Sequence, residues 1–87
     1  MIASQFLSAL ERLNPEEQRL VAAETFRIVS DPNRLRDPGY RLERLERLKR
    51  KDLWSIRISR DLRAILYQHP DGTWIFLYVG HHDEALD

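Results

Sequence analysis

Two arginines, Arg57 and Arg63, have the residue type and spacing that most directly suggest chemistry. They lie six residues apart, on either side of a turn between two predicted strands. In an antiparallel pair of strands, the residue numbers of any two opposite residues add up to the same value. A three-residue loop, Ser59–Asp61, would therefore make the arginines face each other. A two-residue turn would put them on opposite faces. Facing guanidinium groups could share a phosphate, whereas arginines that each pair with Glu or Asp would be ordinary surface residues.

Two adjacent histidines, His81 and His82, follow the last predicted strand. Neighbouring strand residues point in opposite directions, so this pair is poorly placed to bind one metal ion. Either imidazole could act as a general acid or base, because it titrates near neutral pH, or could be a surface residue. The chain has no cysteine and no phosphate-binding or zinc motif. We therefore expect neither a metal nor another cofactor.

Two helices are predicted ahead of these residues. Apolar residues at helical spacing indicate an amphipathic helix over residues 3–13. Asn14 can cap a second helix that starts at Pro15 and ends near Ser30, before an Asp-Pro dipeptide. The short turn between them predicts a helical hairpin. A polar loop, residues 33–39, should follow.

Three strands are predicted in the second half of the chain. Leu53–Ser59 alternates apolar and polar residues, Leu62–Gln68 follows it, and Thr73–Val79 is apolar enough for a central strand covered on both faces. On that last strand, the aromatic row Trp74, Phe76 and Tyr78 could stack bases or could belong to the core. The secondary structure of residues 40–51 is left open, because their leucines recur at helical spacing in a short segment flanked by strands.

Composition limits the class of protein. Eighty-seven residues, 43% of them hydrophobic and 32% charged, predict one soluble folded domain. The absence of cysteine, of a long apolar run and of a signal-peptide pattern leads us to expect a cytoplasmic protein that is neither exported nor anchored. The net charge is zero, but residues 34–63 hold eleven basic and five acidic residues, a local +6. This basic middle could attract polyanions or could be a solvated charged surface.

Four short patterns together resemble the RelE/ParE toxin superfamily, and most closely its YoeB-like branch. They are Glu43-x-Leu45, Trp54-Ser55-x-Arg57-Ile58, Arg63-x-Ile65-x-Tyr67 and a strand that ends in His81-His82. The ending from His81 to Ala85 is also similar to RelE-like domains attached to some helicases.

The resemblance implies an α+β fold in which a two-helix hairpin packs on a small antiparallel sheet, with residues 1–87 as one RelE/ParE-like domain. It also implies that residues 40–48 are mostly strand. Only Met1 and Ile2 precede the first helical pattern. Whether the sheet has the family's usual first strand is therefore open.

The resemblance further implies the toxin of a type II toxin–antitoxin system, a ribosome-dependent messenger RNA endonuclease without a metal. Glu43 would be the base that activates the ribose 2′-hydroxyl, Arg57 and Arg63 would stabilise the phosphorane, and His82 would be the acid or an orienting group. Its partners would be an antitoxin, the ribosome and messenger RNA. Further RNA contacts would come from nearby basic side chains: Arg47, Lys49, Arg50, Lys51, Arg60 and His81.

Two other functions fit the same fold. One is a non-catalytic RelE-like module that binds protein or nucleic acid, as the helicase-attached domains suggest. The neutral net charge and the acidic Asp83 after His82 favour this alternative. The other is a ParE-like inhibitor of DNA gyrase, which needs no Glu or His on the sheet. A fold alone does not separate these functions.

Overall fold

Two helices precede a four-stranded antiparallel sheet in the computed structural model, which describes residues 1–45 and 52–81. The predicted α+β class, with helices before an antiparallel sheet, is confirmed. No helix in these two ranges is long and apolar enough to cross a bilayer. Helix α1 is Ser4–Glu11 and α2 is Pro15–Ser30. The strands are β1 Glu43–Arg44, β2 Leu53–Arg57, β3 Leu62–Gln68 and β4 Trp74–His81. They lie side by side in the sheet in the same order as in the chain.

Helix α2 begins where the sequence predicts. The Asn14 side chain accepts a hydrogen bond from the Glu17 backbone N–H at 2.8 Å, and Glu17 Oε1 accepts one from the Asn14 N–H at 3.2 Å. Pro15 occupies the first helical position. This capping box satisfies two N–H groups that the first turn would otherwise leave unpaired.

The predicted polar loop after α2 contains two short 3₁₀ helices, Pro32–Arg36 and Pro38–Tyr40. Each begins at an Asp-Pro dipeptide. Asp31 Oδ1 accepts from the Asn33 N–H at 3.2 Å, and Asp37 Oδ1 accepts from the Gly39 N–H at 2.8 Å. These short-range bonds fold the loop, because aspartate side chains readily replace a backbone acceptor there.

Strand β1 is shorter than the resemblance implies. Tyr40 ends a 3₁₀ helix, and Arg41 has a left-handed backbone with φ 49°. Glu43 and Arg44 then pair with Ser55 and Trp54 of β2, and the Leu45 N–H donates to the Leu53 carbonyl at 2.9 Å. The resemblance implies a strand over residues 40–48, and of these the structure describes residues 40–45. Within that part, Glu43 and Arg44 form a strand.

The β2–β3 hairpin has the three-residue loop that the spacing of the arginines allows. Arg57 is the register partner of Arg63, and the Ile58 N–H donates to the Leu62 carbonyl at 3.0 Å. The loop is therefore Ser59–Asp61, centred on Arg60. This resolves the choice that the sequence left open, since an odd loop keeps both arginines on one face.

Strand β4 lies at one end of the sheet, so the prediction of a central strand was wrong. Beyond β4 there is a single parallel bridge between Ile2 and Phe76. The Phe76 N–H donates to the Met1 carbonyl, and the Ala3 N–H donates to the Phe76 carbonyl, both at 2.9 Å. In the described residues this bridge stands where the resemblance would place a first strand.

The core lies between the helices and one face of the sheet, here called the helix face. Phe6 of α1 meets Phe76 of β4 edge-to-face, with ring centroids 5.4 Å apart. The buried apolar side chains in this cluster include Phe6, Ala9, Leu13, Val21, Ile28, Ile56, Ile58, Leu62, Ala64, Leu66, Phe76 and Val79.

A β-bulge divides the aromatic row that the sequence suggested on β4. Leu66 pairs with Phe76 and Ile65 pairs with Tyr78, so Leu77 has no partner on β3. Phe76 is buried in the core, whereas Tyr78 follows the extra residue and lies on the other face with Ile65. The expectation of one aromatic face on β4 is therefore corrected, because a bulge inserts one residue into the alternation.

Candidate functional site

The paired arginines lie on the face of the sheet that is turned away from the helices. Their strand neighbours Ile56 and Ala64 are fully buried in the core, so alternation turns Arg57 and Arg63 to the opposite side. We call the side that carries Glu43, Arg57 and Arg63 the arginine face.

Neither arginine is neutralised by a carboxylate among the described residues. Arg57 Nε donates a long hydrogen bond of 3.4 Å to the Ser59 carbonyl, and no other hydrogen bond involves either side chain in residues 1–45 and 52–81. Like charges directly opposite on a sheet repel, and a shared anion removes that repulsion. Two guanidinium groups in this register can share a phosphate-like group.

Glu43 belongs to the same face. It lies opposite Ser55, which is two residues before Arg57 on β2, so Glu43 is a diagonal neighbour of Arg57. The Cα atoms of such neighbours are about 7–8 Å apart, so both side chains can reach one bound group. Glu43 is exposed. A carboxylate beside a cationic pair can take a proton from a hydroxyl while the cations stabilise the charge that develops.

His81 is not brought to the arginine face. It pairs with Leu62 on the helix face, and its Nε2 lies 2.9 Å from Glu17 Oε2 at the start of α2. The Asn14 N–H, and to a lesser extent His81, lower the pKa of Glu17. This contact ties the end of β4 to the start of α2.

The other predicted site residues divide into two groups. Arg60 is exposed in the three-residue loop, next to the arginine pair. The remaining candidates lie outside the described residues: Arg47, Lys49, Arg50, Lys51 and His82.

Tyr78, which the sequence analysis placed in one row with Trp74 and Phe76, is separated from them in the structure. Because of the bulge it lies on the arginine face, and Gly80, two residues later, pairs directly with Arg63. A Cβ on Gly80 would lie 3.0–3.3 Å from Cε2, Oη and Cζ of Tyr78, so the ring covers the Gly80 backbone. The phenol therefore lies over Gly80, the register partner of Arg63. A glycine inside a strand was the available signal, since it often marks a close approach.

Gly80→Ala should lower the free energy of unfolding by about 1 kcal/mol, because the half-buried Tyr78 ring must move by a fraction of an ångström to admit the methyl group. Without that ring the same substitution should be neutral or stabilising, since alanine is better than glycine within a strand. Urea unfolding of Gly80→Ala, Tyr78→Ala and the double variant measures both effects. Equal destabilisation by Gly80→Ala in the two backgrounds would contradict the proposed contact.

The described residues contain no group of three or more His, Asp and Glu side chains that could hold a metal ion. The chain matches no protein-family model, and no curated protein or solved structure is significantly similar to it. The features that point to a function are therefore the geometry of the arginine face and the residues that resemble the RelE/ParE superfamily.

Proposed function

We propose that this protein is an RNA endonuclease that acts on the arginine face, as the toxin of a type II toxin–antitoxin system with a RelE/ParE fold. The observation that carries the proposal is the direct pairing of Arg57 with Arg63, with no carboxylate partner for either among the described residues. Two guanidinium groups in this arrangement can bind the non-bridging oxygens of one phosphodiester.

In the proposed reaction Glu43 takes the proton of the ribose 2′-hydroxyl, and the 2′-oxygen forms a bond to the adjacent phosphorus. The bond from phosphorus to the 5′-oxygen breaks, which leaves a 2′,3′-cyclic phosphate and a 5′-hydroxyl. Arg57 and Arg63 stabilise the extra negative charge of the phosphorane. The leaving 5′-oxygen takes a proton from a general acid, and His82 is the candidate.

The substrate would be messenger RNA in the ribosomal A site, in the cytoplasm. The ribosome would hold the RNA strand against Arg57 and Arg63. An antitoxin would inhibit the protein by covering the arginine face, and its acidic groups would replace the phosphate between the arginines.

A phosphate-binding module that does not cleave RNA is the second candidate, and the placement of the histidines favours it. His81 is held on the helix face by Glu17, and His69 lies in the turn after β3, bonded to Asp71. Neither of these two described histidines is placed as an acid beside Arg63. Cleavage would then require His82.

The deciding experiment adds the purified protein to a reconstituted translation system and maps messenger RNA ends. We expect cuts at A-site codons with 2′,3′-cyclic phosphate termini, and we expect them to vanish in Arg57→Gln/Arg63→Gln. The matched control is Arg19→Gln/Arg36→Gln, which removes the same charge from exposed positions away from the sheet. No cleavage by folded wild-type protein, with RNA binding that depends on the arginine pair, would establish the binding module instead.

A further inference from the structure

Arg57 also lines a pocket at the edge of the sheet, where β1 does not extend along β2. The β1 residues pair with Trp54 and Ser55, so β1 does not extend along Ile56 and Arg57 of β2. An open pocket of about 290 Å³ lies there, between α2, the two 3₁₀ helices and β2. The side chains that matter for its charge are those of Glu24, Arg27, Arg34, Asp37, Tyr40 and Arg57.

One carboxylate of this pocket is already neutralised. Glu24 Oε1 lies 2.9 Å from Arg27 Nη1, and Glu24 Oε2 accepts a hydrogen bond of 2.5 Å from the Tyr40 hydroxyl. Burial, and then the bond to Glu24, raise the pKa of Tyr40 to about 12. Tyr40 therefore remains a hydrogen-bond donor to Glu24, and both oxygens of Glu24 have a partner.

Two arginines then face one remaining carboxylate. Asp37 already accepts the Gly39 N–H at 2.8 Å, and among the described residues neither Arg34 nor Arg57 forms an ion pair. Three guanidinium groups against two carboxylates leave the pocket with a net charge of +1. An anion in this pocket would have both Arg34 and Arg57 in its lining.

We infer that this pocket binds a second phosphodiester of the same RNA strand, adjacent to the one held by Arg57 and Arg63. Arg34 is its main contact, and Arg57 lies between the two phosphates. The inference rests on the proposed function, because its occupant is the RNA that the arginine face would bind. It adds that the protein recognises an extended single strand that passes over the uncovered edge of β2, so that a dinucleotide fills only half of the site.

The test compares Arg34→Gln with Arg36→Gln, a matched variant in the same 3₁₀ helix whose exposed side chain does not line the pocket. Binding of a labelled hexanucleotide and of a dinucleotide is measured by fluorescence anisotropy over a range of salt concentrations. For the hexanucleotide we expect Arg34→Gln to raise Kd about tenfold and to reduce the salt slope by about 0.7. Dinucleotide binding should not change, and Arg36→Gln should match the wild type in both assays.

The outcomes separate the pocket from the proposed function. If the wild type binds the hexanucleotide and Arg34→Gln behaves as Arg36→Gln does, the pocket is not a phosphate site, although the proposed function stands. A loss of dinucleotide affinity in Arg34→Gln would also overturn the inference, because Arg34 would then contact the first phosphate. If the wild type binds neither RNA, the inference fails, whereas cleavage on the ribosome decides the proposed function. Urea unfolding of both variants confirms that they are folded.

Discussion

Arg63→Gln should slow RNA cleavage by about 10²–10³-fold and leave the protein folded. Arg63 is half-buried on β3, directly opposite Arg57, and forms no ion pair with a described residue. Its removal therefore breaks no ion pair in that part of the chain and relieves a like-charge repulsion. In the proposed reaction, the transition state would lose one of the two cations that stabilise it.

The double variant Arg57→Gln/Arg63→Gln should lose less activity than the product of the two single losses. Both arginines would act on one phosphate, and groups that act as a unit give non-additive effects. Single-turnover cleavage by the two single variants and the double variant measures this coupling, with urea unfolding as the check on stability. Fully multiplicative losses would mean that the arginines bind different phosphates. Wild-type rates in both single variants would exclude the arginine pair from the chemistry.

Phe76→Ala should lower the free energy of unfolding by about 3–5 kcal/mol. The Phe76 side chain is 1% exposed, and it connects β4 to α1 through its edge-to-face contact with Phe6. The cavity would open where the helices meet the sheet, because both rings fill the same layer of the core. Small domains are stable by about 5–15 kcal/mol, so this one substitution would remove a large part of the total.

Urea unfolding followed by Trp fluorescence tests this expectation, and Phe26→Ala is the matched control. Phe26 is 73% exposed on α2, so the same loss of atoms there should change stability by less than about 0.5 kcal/mol. A double-mutant cycle with Phe6→Ala should show positive coupling between the two rings. Similar effects of the two Phe→Ala substitutions would be incompatible with this core.

The parts of the fold that depend on local chemistry could be predicted from the sequence. Asn14 and Pro15 set the start of α2, because a capping side chain and a fixed φ act within a few residues. The spacing of Arg57 and Arg63 reduced the hairpin to two registers. In each case the deciding contacts span fewer than ten residues of chain.

The parts that depend on distant contacts could not be predicted. The apolar sequence of β4 suits a central strand, yet β4 is a terminal strand that meets only the Ile2 bridge on its outer side among the described residues. The pocket around Arg34 joins α2, a 3₁₀ helix and β2, and no spacing along the chain relates Arg34 to Arg57. Tyr78 was assigned to the wrong row because a bulge changes the alternation without an unusual residue at Leu77.

The bulge at Leu77 also determines how β4 would tolerate changes in chain length. Loss of Leu77 would restore regular alternation and leave Tyr78 and Gly80 on the faces that they now occupy, whereas a deletion at Val79 would move Gly80 and His81 to the opposite faces. When homologous sequences are aligned, a one-residue gap at Leu77 is therefore structurally neutral. In a homologue that lacks the extra residue, Tyr78 and Gly80 align with their structural equivalents only if the gap is placed at Leu77.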